Sequence, residues 1–83
     1  MYEIFILPTA QKDLDRLSAS IFERVIRKIR ALASDARPFG TLKLTAEDGY
    51  RLRAGDHRIL YRIDEASKRV YVYRIRDRKD AYS

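Results

Sequence analysis

The sequence predicts an α+β domain from three features: a β-branched opening run, two segments of helical periodicity, and a second half built of alternating runs. At 83 residues the chain forms one domain, residues 1–83, too small for two independent cores. The expected order is an N-terminal strand, an antiparallel two-helix hairpin, and a mainly antiparallel segment of about four strands.

Residues 2–7 form a short apolar and aromatic run stopped by Pro8, the signature of a first strand. Thr9 can cap a helix whose apolar positions Ala10, Leu14 and Leu17 fall at i, i+4 and i+7. The small polar stretch at residues 18–20 interrupts it. Ser20 followed by Glu23 matches a capping box, so a second helix is expected from there. Phe22, Val25, Ile26, Ile29, Leu32 and Ala33 form its apolar stripe, and Arg24, Arg27, Lys28 and Arg30 lie outside it on a solvated face. The helix is expected to end near residues 34–35, ahead of Pro38 and Gly40. A short link between the helices predicts an antiparallel pair.

From residue 41 the period changes. Residues 41–45 can make a short strand and residues 47–49 a turn. Residues 50–54 and 57–63 alternate on either side of Gly55-Asp56, a two-residue hairpin turn. Residues 64–68 are polar, residues 69–75 alternate again, and the tail from Arg76 reads as polar and irregular. An antiparallel sheet covered by helices on one side keeps its other side open to solvent or a ligand.

Composition excludes several chemistries. No cysteine is present, which rules out a disulfide scaffold, a thiolate metal site and a cysteine nucleophile, and one histidine cannot build a histidine-rich metal centre. The longest apolar stretch, residues 4–7, is too short to cross a bilayer or serve as a secretory signal. A cytoplasmic protein without membrane contact, metal or small-molecule cofactor is expected. The net charge is +6. Residues 1–49 are nearly balanced, whereas residues 50–83 hold ten basic and five acidic side chains, eight of the ten being arginines. Arginine suits bidentate phosphate contacts, so a polyanion-binding surface is expected on the second half.

The hairpin arithmetic places that surface. With Gly55-Asp56 as the loop, Arg53 faces Arg58 and Arg51 faces Leu60, while Tyr50, Leu52, Ala54, Ile59 and Tyr61 turn to the helix side. Like charges directly opposed across a ladder are destabilising by up to about 1 kcal/mol, so a sheet without a use for that face would avoid them. A four-residue loop at residues 65–68 would add Tyr73 and Ile75 to the same face, near Leu60 and Arg58. Cations with an aromatic ring beside them are the elements of single-stranded RNA recognition. Arg76, Arg78, Lys79 and Tyr82 follow at its edge as a second basic and aromatic group.

The run at residues 50–61, together with residues 70–75 and 78–82, resembles the toxin subunits of the RelE/ParE superfamily from type II toxin–antitoxin modules. The order of strand, helix pair and antiparallel strands agrees over the whole chain. The resemblance implies a RelE-like fold and an RNA-cleaving toxin that enters the ribosomal A site, cuts translated mRNA and is silenced by a cognate antitoxin. It further implies catalytic roles for Arg51, Arg53, Arg58, Arg78 (or Arg76) and Tyr82; Tyr73, from the strand pairing, and Arg76 and Lys79, from the basic tail, are expected to contact RNA. Arginine stands at 51 and 53, where RelE-like toxins can carry lysine, which removes a lysine base. Two other functions fit the same resemblance and composition: a ParE-like inhibitor of DNA gyrase, and a non-catalytic RNA-binding module.

Metal-free RNA cleavage needs a deprotonated 2′-hydroxyl, a stabilised pentavalent phosphate and a protonated leaving oxygen. Arginines supply the second requirement and hold the strand for in-line attack, but guanidinium does not serve as a base. Tyr82 is the expected base, acid or stacking group. His57 lies beside the turn, points away from Arg58 by the inferred pairing, and is expected to be structural.

Overall fold

The computed structural model describes residues 1–45 and 48–77. The chain folds as β1 (Glu3–Ile6), α1 (Pro8–Asp15), α2 (Ala19–Ala31), β2 (Leu42–Lys43), β3 (Tyr50–Ala54), β4 (His57–Asp64) and β5 (Arg69–Asp77). The strands form one sheet in the order β1-β5-β4-β3-β2. Every neighbouring pair is antiparallel except β1 and β5, which run parallel. The first strand therefore lies beside the last, a pairing that needs the helices as its crossover.

The helices start earlier than the capping signals suggested. Pro8, expected only to stop the strand, occupies the first turn of α1, where its missing N–H would be unpaired in any case. Leu7 is the N-cap in place of Thr9. In α2 the N-cap is Ser18, held in an extended conformation, and its carbonyl accepts from the Phe22 N–H at 2.8 Å. The Ser20/Glu23 pair thus falls inside the helix. Both helices lie against the sheet, α1 on β5 and α2 on β3 and β4.

The buried core joins Ala10 and Leu14 of α1, Val25 and Ile29 of α2, Leu32 and Ala36, and the inward residues Leu52, Ala54, Ile59, Tyr61, Val70, Val72 and Ile75. Phe22, expected in the stripe, remains exposed. The turn at Gly55-Asp56 forms as expected, with φ of 63° at Gly55. A positive φ at the first of two turn residues is what a type II′ hairpin turn requires, and glycine adopts it without strain. Residues 65–68 make the four-residue turn, and β5 continues through Arg76 and Asp77, which were expected in an irregular tail.

Candidate nucleic-acid interface

The β3–β4 register is the one the hairpin arithmetic gives: Arg53 opposite Arg58, and Arg51 opposite Leu60. Burial alternates accordingly, with Leu52, Ala54 and Ile59 inside and Arg53 exposed. The β4–β5 register departs from expectation. From Asp64↔Arg69 to Tyr61↔Val72 the strands pair as predicted, and then an irregularity at Leu60/Tyr61 inserts one extra residue in β5. A bulge of this kind inverts the facing of everything beyond it. Ile75, expected on the open face, pairs with Ile59 and is buried, while Arg76 comes opposite Arg58.

The result is a row of three arginines, Arg53–Arg58–Arg76, crossing β3, β4 and β5 over about 10 Å at normal strand spacing. Arg51 lies one pleat away on the same face of β3. Among the described residues none of these four makes an ion pair. Four arginines gathered on one face of the sheet are chemically suited to hold an anion such as a phosphate.

Asp13 of α1 holds the bulge in place. Its Oδ2 accepts from Arg74 Nε and from the Ile75 backbone N–H, both at 2.9 Å. β1 ends opposite Val72, so beyond that point β5 has lost its strand neighbour, and the Asp13 carboxylate takes over its edge. Arg74, the Cα partner of Leu60, is thereby drawn toward α1 and away from the row. Sequence reasoning missed Asp13, although a signal exists. It occupies i+3 in the inward series Ala10, Leu14, Leu17, where a carboxylate needs a partner.

Tyr73 lies within the bulge, with Arg62 over its ring at 5.3 Å and its hydroxyl buried against the backbone at Gly49. Its ring and hydroxyl are thus engaged within its own sheet, by Arg62 and by the start of β3. His57 is only 12% exposed, sits 3.8 Å from Asp77 across the ladder, and faces the α1 side as expected. Arg78, Lys79 and Tyr82 lie outside the described residues. Among the described residues no three His, Cys, Asp or Glu side chains gather as a metal site.

The family model for the ParE toxin of type II toxin–antitoxin systems matches residues 4–82. This chain belongs to that family. Its toxin fold is similar to the toxin–antitoxin complex RelBE2 from Mycobacterium tuberculosis, with 28% identity, a TM-score of 0.82, and coverage of 93% of this chain and 98% of that one. The archaeal RelE–RelB complex from Pyrococcus horikoshii gives 25% identity and a TM-score of 0.82, covering 93% of this toxin and 94% of the matched chain. The intact E. coli RelBE complex, at 21% identity and a TM-score of 0.78, shares the fold over 93% of this chain and 96% of its own. Comparison with curated proteins finds no match.

Proposed function

We propose that this toxin is a metal-independent, ribosome-dependent mRNA endonuclease, silenced by a cognate antitoxin. The observation that carries this reading is the Arg53–Arg58–Arg76 row, with Arg51 beside it, left without ion pairs among the described residues. Maintaining like charges across a ladder costs stability, and a phosphate between them offsets that cost. In the cleavage step a ribose 2′-oxygen attacks the adjacent phosphorus, the bond to the 5′-oxygen breaks, and charge grows on the equatorial oxygens. The arginine row stabilises that charge and holds the phosphate for in-line attack. Tyr82, outside the described residues, is the titratable group that the family resemblance assigns to proton transfer or base stacking. The antitoxin partner is supported by the RelB-bound state of the similar structures.

The ParE description of the matching family favours a second reading, inhibition of DNA gyrase, which needs no RNA-cleaving residues. Induction of the toxin in cells separates the two. Breaks within translated codons, lost together with growth arrest in Arg58→Ala, support the nuclease. Intact mRNA with gyrase-linked DNA breaks would reject it, as would full toxicity of a soluble Arg51/Arg58 double alanine variant.

A further inference from the structure

The open face of the sheet continues past the arginine row to a second group of side chains. Leu60 follows Arg58, and Arg62 lies about 13 Å from Arg58 along β4. Arg62 is exposed and pairs across the ladder with Tyr71, which in turn pairs with Phe5 of β1. The Phe5 and Tyr71 rings stack with centroids 5.4 Å apart and planes 21° from parallel, and Arg69 lies over Phe5 at 5.4 Å. Both rings are half-buried on a face that neither helix covers, opposite the buried Val70 and Val72. The strand pairing thus builds an aromatic step with Arg69 over Phe5 and with Arg62, whose guanidinium lies over Tyr73, beside it on the same face as the arginine row.

The carboxylates nearby decide what such a step can take. Asp48, Asp64 and Glu65 line a shallow pocket with Arg62 and Tyr71, and Glu3 lies 3.8 Å from Arg69. Cations and carboxylates balance here, Glu65 with Arg37 and Lys68, Glu3 with Arg69, and Asp48 and Asp64 beside Arg62, so this end of the face lacks the cation excess of the row and does not extend the polyanion track. Nucleobases are uncharged, have π-faces that stack on aromatic rings and on guanidinium planes, and offer amino groups to carboxylate acceptors.

We propose that Phe5, Tyr71 and Arg62 form a stacking subsite for a base of single-stranded RNA whose phosphate lies on the Arg53–Arg58–Arg76 row. The inference rests on the nuclease reading and adds to it a defined footprint. The RNA runs along β4 from the arginine row toward Tyr71, and the charge-balanced end of the face marks where its backbone turns away.

The test uses oligodeoxyadenylate, which lacks the attacking 2′-hydroxyl, in two lengths: one covering the arginine row alone and one long enough to reach Tyr71. The wild-type toxin binds the longer probe more tightly. Tyr71→Thr keeps a strand-forming residue, and the exposed Arg62→Gln guards against a folding defect. In each variant, folded by circular dichroism, the affinity ratio between long and short probes falls by about tenfold, the loss for one stacked base. An unchanged ratio in both variants overturns the subsite while leaving the arginine row intact. Failure of Arg58→Ala to weaken either probe, or no binding of either length by wild type, overturns the row and the subsite with it.

Discussion

Two side chains away from the arginine row hold the segment between α2 and β2 against the sheet, and their chemistry makes distinct predictions. Tyr61 is fully buried, and its hydroxyl donates to the Ala36 carbonyl at 2.7 Å. Burial pushes its pKa up, so it stays a neutral donor. Tyr61→Phe removes that donor and strands a carbonyl in the core, which costs about 2 kcal/mol and lowers Tm by roughly 10 °C for a domain this small. A thermal melt with unchanged cooperativity checks it. Glu65 is the other anchor: its carboxylate accepts from Tyr2 Oη, Arg37 Nη1 and Lys68 Nζ at 2.8–3.0 Å. Hydrogen bonds from Lys68, Arg37 and Tyr2 pull its pKa down from 4.5 to about 2. Since the folded value lies below the unfolded one, this contribution is complete above pH 4.5, declines below it, and is gone below about pH 2. Melts of wild type and Glu65→Gln against pH should therefore differ at neutral pH and converge across that window. A constant difference down to the acid limit would contradict the assignment.

At the level of elements, the β-bulge decides which residues of β5 share a face with the arginines of β3 and β4. The Tyr50–Ala54 and His57–Asp64 strands were legible because a two-residue turn fixes register by arithmetic, and alternation then separates Arg51, Arg53 and Arg58 from Leu52, Ala54 and Ile59. β5 was legible only as far as Val72. Its bulge answers to Asp13, sixty-two residues away in sequence from Ile75, and no local pattern encodes a contact of that range. For the same reason Arg76 reads as tail in the sequence and as the third member of the row in the structure. The parallel pairing of β1 with β5 is likewise a tertiary outcome. Asp13→Ala leaves the Ile75 N–H unpaired and frees Arg74, weakening this edge by about 2 kcal/mol. Hydrogen exchange at the Ile75 amide should then accelerate at least tenfold, while exchange in the β3–β4 hairpin holds. Cross-strand NOEs between Arg58 and Arg76 should weaken in parallel. Their full retention would mean the bulge is held by the strands alone.

Over the whole molecule, position matters more than net charge. The chain carries +6, yet the helix-bearing half is nearly balanced and its arginines are scattered over α1, α2 and the segment after α2, whereas the second half places Arg51, Arg53, Arg58 and Arg76 together on the open side of the sheet. Nucleic-acid binding through such a surface releases counterions, so affinity falls with salt in proportion to the number of phosphate contacts, with a slope near −0.7 per contact for single strands. Arg51, Arg53, Arg58 and Arg76 together predict a slope of about −3 in a plot of log affinity against log salt for a single-stranded oligonucleotide. Arg58→Ala should reduce its magnitude by about 0.7, since one contact is removed and the others keep their places. Arg27→Ala on α2 removes the same formal charge from the far side of the domain and should leave the slope unchanged, because screening confines its field to about 10 Å at moderate salt. Equal effects of the two substitutions would mean that diffuse charge binds the polyanion, and the arginine row would then have no special claim on the phosphate.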